Sequence, residues 1–222
     1  MNIQSLDLLG NSSIGIFGFS TETYAIFPYN IHESKLPLIN DTLDVPIIHT
    51  TINNSNLIGL YGVGNSHHLL LPSLTSKLEL NEIEKKLPDG IQVSVIDSTI
   101  TALGNVIITI EGKTLISTEF SSQERRQIAD TLDSEVESMN ILNSTIVGSL
   151  IFGTKNGLLV HPLVNDDELD FIEDFFKVQV DVVTVNRGTP YPRPGIIGNS
   201  KGVLVGSDTT GPELMRIFDV LF

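Results

Sequence analysis

The sequence predicts a closed α/β propeller of five ββαβ modules with pseudo-fivefold symmetry. Three observations support this: two landmarks that recur with nearly the same period, and an N-terminal segment that matches a strand missing from the last repeat. The 222 residues suit one large domain, and a content of 41% hydrophobic and 18% charged residues is typical of a packed globular protein.

The first landmark is an apolar pair followed by a small or turn residue. It ends at Pro28, Pro72, Thr118, Pro162 and Gly206, in steps of 44, 46, 44 and 44 residues. The second landmark is a glycine at the start of an apolar run, found at Gly15, Gly59, Gly104, Gly148 and Gly195, in steps of 44, 45, 44 and 47 residues. Two parallel series of this kind indicate an internal repeat rather than chance spacing.

Each repeat begins with a predicted hairpin. The landmark glycine opens a first strand, a turn follows, and a return strand such as Leu158–Val160 or Val203–Val205 comes next. The turns are clearest at Lys155–Gly157 and Ser200–Gly202, where asparagine and glycine tolerate positive φ.

A helix and a third strand complete each repeat. Helix starts are predicted by capping boxes at Ser121 with Glu124 and at Thr210 with Glu213, and by the same device at Asn165 with Glu168. The predicted third strands are Val45–Ile48, Ile91–Val93, Val136–Met139 and Val178–Val182.

The fifth repeat stops at Phe222, after its helix, without a third strand. Ile3 stands twelve residues before Gly15, just as Ile47 and Val136, in predicted third strands, stand twelve residues before Gly59 and Gly148. Ile3–Leu6 is therefore predicted to be the third strand that completes the fifth module and closes the ring. Closure leaves no open module edge. An open α+β sheet is the alternative, but it leaves the N-terminal match unexplained. We expect one domain with repeats at about residues 8–52, 53–100, 101–144, 145–185 and 186–222 with 1–7.

Composition excludes several classes of function. There is no cysteine, so disulfides, thiolate metal sites and cysteine nucleophiles are excluded. The 13 basic and 27 acidic residues give a net charge of −14, which argues against DNA binding. No apolar run reaches the roughly 18–20 residues of a membrane span, and the sequence predicts a cytoplasmic protein without metal or cofactor.

Several strings in different repeats carry a resemblance to a known family. They are Val63–His67, Ala102–Val106, Thr184–Thr189 and Asp208–Leu214. Together they strongly resemble the translation initiation factor 6 family, the ribosome anti-association factors of archaea and eukaryotes, and the compact length resembles the archaeal type. The resemblance implies the pentein fold and a monomeric, non-enzymatic protein that binds the large ribosomal subunit. Family members contact ribosomal proteins there, lie near the sarcin–ricin rRNA loop, block small-subunit joining and take part in subunit maturation.

Two alternatives remain open at the level of sequence. Penteins also include arginine deiminase relatives, which use a cysteine nucleophile, so a cysteine-less pentein enzyme would need a serine or aspartate to act on a small guanidino-type substrate. A structural assembly module unrelated to ribosomes is the other alternative. Gly198–Gly202 matches the G-x-S-x-G pattern, but a strand follows it where a nucleophile elbow needs a helix, so we interpret it as a turn.

The candidate ribosome-binding residues are polar residues near module ends: Asn65, His67, Asn105, Asn186 and Arg187. Asparagine beside glycine often satisfies turn backbone, which is the competing explanation. It is weaker for Arg187, because a turn does not require arginine and an exposed guanidinium suits a partner's phosphate or carboxylate. We expect Asn65, Asn105, Asn186 and Arg187 to gather on one face. The acidic run from Asp166 to Asp174 is interpreted as a solvent-facing helix.

Overall fold

Five three-stranded sheets and their outer helices form a closed ring in the computed structural model, which describes residues 3–222. The strands are β1 (Ile3–Leu6), β2 (Phe19–Ser20), β3 (Ala25–Pro28), β4 (Ile47–Thr50), β5 (Val63–Gly64), β6 (His68–Pro72), β7 (Gln92–Ile96), β8 (Ile107–Ile110), β9 (Lys113–Ile116), β10 (Glu135–Ser138), β11 (Ile151–Thr154), β12 (Gly157–Val160), β13 (Gln179–Val182), β14 (Ile196–Gly198) and β15 (Val203–Gly206). In every sheet an antiparallel hairpin supplies two strands, and a third strand pairs in parallel with the second.

Long outer helices alternate along the chain with short inner ones. They are α1 (Leu36–Leu43), α2 (Ile58–Tyr61), α3 (Lys77–Lys86), α4 (Leu103–Val106), α5 (Ser122–Leu132), α6 (Val147–Leu150), α7 (Asp166–Phe176), α8 (Pro192–Gly195) and α9 (Gly211–Leu221). A 3₁₀ turn at Ile14–Ile16 takes the place of the short helix in the first module. Within the described part of the chain, no helix is long and apolar enough to span a bilayer.

Strand β1 closes the ring, as the twelve-residue offset predicted. It pairs in parallel with β15, from Ile3 opposite Val203 to Leu6 opposite Gly206. The third strand of the fifth module therefore comes from the opposite end of the sequence. Met1 and Asn2 lie outside the described residues.

Each hydrophobic core lies between two neighbouring modules. Ile197 and Leu204 of the fifth module pack with Phe27 and Ile39 of the first, and all four are at most 1% exposed. The other four clusters join successive modules in the same way, for example Ile108 with Ile172. The apolar face of the sheet in one module packs against the sheet and helix of the next. A single module therefore does not contain a complete core.

The landmark glycines have a packing role. A Cβ atom on Gly59 would overlap the carbonyl oxygen of Gly15, one on Gly104 would overlap that of Gly59, and one on Gly148 would overlap that of Gly104. These residues lie at the second position of the short inner helical turns, so the expectation that they open strands is wrong. The strands begin only after these close backbone contacts.

The prediction of Gly195 as the fifth landmark is wrong. A Cβ on Gly15 would overlap the carbonyl oxygen of Arg193, which occupies the second position of α8. Arg193 is therefore the fifth member of the ring, 45 residues after Gly148, and Gly195 is not. The sequence did not indicate Arg193 because the landmark was defined as a glycine, and an arginine occupies the equivalent position in the fifth module.

The predicted helix caps are confirmed. Reciprocal capping boxes are present at Ser121, Asn165 and Thr210, and a further one, missed from sequence, joins Ser76 to Glu79. The hairpin turns are present too, but Gly157 and Gly202 have ordinary negative φ. Their Cβ atoms would overlap the carbonyl oxygens of Val220 and Thr42, so glycine is needed there for the close approach of a neighbouring helix.

Candidate functional site

The ring has two chemically different ends. The hairpin end carries the turns between the first two strands of each module and the C-termini of the outer helices. The short-helix end carries the inner helices, the N-termini of the outer helices and the turns that link one module to the next. The structure distributes the candidate residues over both ends.

Asn65 lies at the hairpin end and holds two modules together. Its Oδ1 accepts hydrogen bonds from the backbone N–H groups of His67 and His68, both at 3.0 Å, while its Nδ2 donates to the carbonyl of Leu132 at 2.8 Å. Leu132 ends α5 of the next module, and Asn65 is buried. The two bonds that Oδ1 accepts are local turn chemistry, whereas the bond from Nδ2 docks a helix of the next module.

His67 is exposed beside Asn65 at the same hairpin end. Its ring meets the ring of His68 edge-on at a centroid distance of 6.4 Å. Residues 3–222 contain no group of three or more His, Cys, Asp or Glu side chains arranged for a metal ion. The prediction that Asn65 shares one face with Asn105, Asn186 and Arg187 is therefore wrong. Asn65 and the neighbouring His67 lie in a hairpin turn, whereas Asn186 and Arg187 lie in a module-linking turn at the other end of the ring.

Asn105 lies at the short-helix end, within α4. It is half-buried, and its Oδ1 accepts a hydrogen bond at 3.0 Å from the hydroxyl of Ser149 on α6. The amide nitrogen of Asn105 makes no hydrogen bond to residues 3–222, so the side chain retains donors for a partner.

Asn186 and Arg187 form the left-handed turn that links the fourth module to the fifth. Their φ angles are 49° and 62°, and that of Gly188 is 98°. Asn186 donates from Nδ2 to the carbonyl of Ser12 at 2.9 Å and accepts from Thr209 at 3.1 Å. Two successive left-handed residues recur in the equivalent turns: Leu9 and Gly10, Asn53 and Asn54, Leu142 and Asn143. Strained turns of this kind persist only where surrounding contacts hold them.

The contacts that hold this turn come from a capping-box glutamate. Oε1 of Glu213 accepts from the Gly188 N–H at 2.9 Å, and Oε2 accepts from the Arg187 N–H at 3.3 Å. Burial alone would raise the pKa of the Glu213 carboxyl, but hydrogen bonds from Thr210, Gly188 and Thr184 outweigh it and hold the pKa below its usual range. The sequence revealed Glu213 as a helix cap; its second role in fixing the Arg187 backbone needed the fold.

The Arg187 side chain projects from this fixed backbone into solvent. It is exposed, and among residues 3–222 it has no hydrogen-bond or ion-pair partner. Loops at the same end also expose apolar side chains: Leu9 at 39%, Tyr29 at 51%, Leu74 at 42%, Leu163 at 74% and Tyr191 at 38% exposure. The hairpin end instead exposes mainly polar and charged residues. The sequence could not reveal this patch, because an exposed leucine and a buried one look alike in it.

The central channel opens at the hairpin end. Its mouth is lined by polar and charged residues that include Glu22, Glu111, Lys155 and Asn199, and no histidine lines it. Lys155 pairs with Glu22 at 3.5 Å, and Ser200 donates hydrogen bonds to the same carboxylate from its backbone and hydroxyl. Ser200 lies in the turn between β14 and β15, as expected for a plain hairpin. A cysteine-less enzyme would also need a histidine to activate its serine or aspartate, and the lining of this channel contains none.

The chain is similar to curated proteins along nearly its whole length. Translation initiation factor 6 of Pyrococcus horikoshii is 39% identical over 224 residues, covering 100% of this chain and 99% of the relative. Translation initiation factor 6 of Methanocaldococcus jannaschii is 38% identical over 216 residues, covering 96% and 94%.

Solved structures of enzymes share the fold at low identity. The cyanobacterial arginine dihydrolase ArgZ, in its apo form, matches with a TM-score of 0.57 at 12% identity, covering 86% of this chain and 31% of ArgZ. A dimethylarginine dimethylaminohydrolase adduct matches with a TM-score of 0.54 at 12% identity, covering 82% and 73%. These likenesses confirm the pentein fold and nothing further. The model of the eIF-6 family matches residues 3–220, and the chain therefore belongs to the eIF-6 family of translation initiation factors.

Proposed function

We propose that this protein binds the large ribosomal subunit through its short-helix end and thereby sterically prevents the small subunit from joining. The proposal rests on membership of a family whose relatives are named translation initiation factor 6. The observation that carries it is the short-helix end of the ring, which exposes both Arg187 and several apolar side chains, such as Leu163.

The chemistry of this end suits a protein surface more than naked nucleic acid. Aromatic residues and arginine are enriched in protein–protein interfaces, and clustered exposed apolar side chains mark such sites. A net charge of −14 opposes a broad grip on phosphates, so a contact with rRNA such as the sarcin–ricin loop would be local. The exposed acidic residues at the start of α7, Asp166 and Asp167, could add attraction to basic ribosomal proteins.

The direct test is sedimentation of the purified protein with isolated large and small subunits, followed by a subunit-joining assay. We expect a monomer that cosediments with large subunits and lowers the yield of joined ribosomes. Equal binding to both subunits would contradict the proposal, as would tight binding to protein-free rRNA.

A pair of variants tests which end is the interface. Asn105→Ala combined with Arg187→Ala removes exposed or unpaired donors at the short-helix end, and each interfacial hydrogen bond typically contributes about 0.5–1.5 kcal/mol, more when charged. We expect large-subunit binding to weaken at least several-fold, with little change in the thermal unfolding midpoint.

His67→Ala is the matched control, because His67 is exposed at the opposite end. It should leave binding unchanged. If His67→Ala weakens binding and the double variant does not, then the hairpin end faces the ribosome and the assignment is reversed.

A further inference from the structure

A buried histidine, His161, lies at the short-helix end directly after β12. It is 5% exposed. At the equivalent position of the repeat, three other modules carry the buried apolar residues Phe27, Leu71 and Val205, and the third module carries Ser117. A polar ring therefore stands where most modules place a core side chain.

The two ring nitrogens of His161 have different surroundings. Nδ1 accepts the backbone N–H of Leu163 at 3.1 Å, which requires Nδ1 to be unprotonated, so the proton of the neutral ring is on Nε2. Nε2 makes no hydrogen bond to residues 3–222. In that part of the chain, the one fully buried side-chain nitrogen or oxygen without a partner is Oγ1 of Thr75, so Nε2 reaches the surface.

Two exposed apolar side chains are held by this same imidazole. Leu163 is tied to it through the backbone N–H, and the Tyr191 ring meets it edge-on at a centroid distance of 5.3 Å. The two residues are 74% and 38% exposed. An unsatisfied N–H donor beside exposed apolar side chains has the composition of a protein–protein contact, in which apolar groups exclude water from a hydrogen bond.

No charged side chain within residues 3–222 forms a hydrogen bond or an ion pair with the His161 ring. Helix α6, whose Leu150 carbonyl accepts the His161 backbone N–H, contains no titratable residue, and the loop 162–165 contains none. Tyr191 is the titratable group that contacts the ring. Charged groups of the other neighbouring elements are engaged elsewhere or exposed: Asp181 of β13 pairs with Arg216, Glu168 of α7 accepts the N–H groups of Asn165 and Leu142, Asp166 and Asp167 of α7 are exposed, and Arg193 of α8 lines the central cavity.

We propose that Nε2–H of His161 donates a hydrogen bond to a backbone carbonyl oxygen of a large-subunit protein, with Leu163 and Tyr191 packed around that bond. This inference rests on the proposed function and assigns the chemistry of one contact in the same interface. A neutral acceptor follows from the role of Nδ1. A phosphate or carboxylate would favour the imidazolium, and protonation of Nδ1 would remove the acceptor of the Leu163 N–H.

The assignment fixes the direction of a pH dependence. Burial lowers the pKa of the His161 imidazole, so the free protein holds the neutral ring at pH 7. Because the neutral ring is the binding form, affinity should be constant above the ordinary histidine range. It should fall as pH drops through the lowered pKa, by up to about tenfold for each further pH unit. An rRNA phosphate as acceptor predicts the opposite, tighter binding on acidification.

The experiment measures binding to isolated large subunits between about pH 5 and pH 8. Ser117 shows that a serine at this repeat position can accept the N–H two residues on, since its Oγ accepts from Glu119 at 3.1 Å. His161→Ser therefore keeps an acceptor for Leu163 and removes the Nε2–H donor. We expect it to bind several-fold more weakly at neutral pH and to lose the wild-type fall in affinity on acidification.

His67→Ala is the matched control, because it removes an exposed imidazole at the opposite end and should keep the wild-type pH profile. Binding that tightens on acidification would assign the contact to phosphate and overturn the proposal. A pH profile that is the same in His161→Ser as in the wild type would also overturn it.

NMR of the free wild-type protein separates this inference from the proposed function. The ring ¹⁵N shifts of His161 should show the Nε2–H tautomer at neutral pH, and the Leu163 amide should shift as His161 titrates. An Nδ1–H tautomer, or a Leu163 amide that ignores the titration, would overturn the inference even if large subunits bind. A wild-type protein with the expected tautomer that binds no large subunit at any pH would overturn the proposed function, and the contact with it.

Discussion

At the scale of single residues, one glutamate can cap a helix and brace a strained turn at the same time. Glu79 accepts hydrogen bonds from Ser76 at the start of α3 and also from the Thr51 hydroxyl and the Asn54 N–H, both at 2.8 Å. Asn54 belongs to one of the left-handed turns, as Arg187 does. The same arrangement at Glu213 keeps the backbone of Arg187 in place.

Removing this brace should destabilise the protein measurably. Glu79→Ala deletes a buried carboxylate with four donors, and we expect a loss of about 1.5–3 kcal/mol in urea unfolding at neutral pH. Glu84→Ala, at an exposed position of the same helix, is the control and should change stability by less than about 0.5 kcal/mol. Equal effects of the two substitutions would contradict the role given to Glu79.

Glu79 should also make the stability of the protein depend on pH. Burial would raise the pKa of Glu79, but hydrogen bonds from Asn54, Ser76 and Thr51 outweigh it and lower the pKa. A lowered folded-state pKa contributes stability above the ordinary carboxyl range, and that contribution is lost as pH falls through the folded pKa. Stability of the wild type should therefore fall on acidification below about pH 4.5, and Glu79→Gln should fall less steeply over that interval.

The sequence predicted residue roles unevenly. Capping residues could be found because their spacing follows from helix geometry. Asn65 was recognised as special, but its partner Leu132 is 67 positions away, so the sequence could not separate a helix-docking role from a binding one. Arg193 went unnoticed because its significance comes entirely from its place in the ring.

At the scale of elements, asparagines at the hairpin end join three of the five outer helices, α1, α5 and α9, to the preceding module. Asn199 donates to the carbonyl of Leu43 at 2.9 Å and accepts from the N–H groups of Lys201 and Gly202. Asn65 and Asn156 reach Leu132 and Leu221 in the same manner. These contacts satisfy helix-terminal carbonyls that would otherwise be unpaired.

Asn199→Ala should therefore cost more than an average surface change. It leaves buried backbone groups without partners, and we expect a loss of about 1–3 kcal/mol in chemical denaturation. Asn30→Ala, at an exposed site, serves as the comparison and should be nearly neutral. A loss below about 0.5 kcal/mol for Asn199→Ala would show that water replaces these bonds.

Most long elements followed from the sequence, whereas the short ones did not. Period and capping located the outer helices and the hairpins, since those patterns extend over enough residues. The sequence predicts strand starts where the structure has the four-residue inner helices, because the apolar residues of these helices run directly into the following strands. Their helical form is imposed by packing around the axis, as the close contacts of Gly59 and Gly104 indicate.

At the scale of the whole molecule, one module combines β1, from near the start of the sequence, with β14, β15 and α9 from its last part. Between outer helix and third strand, the first four modules use three, five, two and two connecting residues. Between Leu221 and Ile3 the sequence offers three, namely Phe222, Met1 and Asn2. A covalent link from Phe222 to Met1 would therefore match the connections of the other modules.

This makes a circular permutant possible. Joining Phe222 directly to Met1 and opening the chain between Asp89 and Gly90, in the exposed link from α3 to β7, should give a folded protein with a midpoint within a few degrees of the wild type. We further propose that all five repeats unfold as one domain, because every core spans two modules. Circular dichroism should show a single transition for both proteins.

A permutant opened inside α5, between Gln127 and Ile128, is the control and should be strongly destabilised. If both permutants unfold alike, or if the first shows separate transitions, then the ring is not the cooperative unit.

The pairing of β1 with β15 also has a consequence for folding during synthesis. Ile3 is synthesised about two hundred residues before its partner Val203. Until then β1 has no native partner. Translation of the fifth module completes its own sheet and also the core that it shares with the first module. Long-range pairing of this kind slows folding, and the ring can close only when translation is nearly finished.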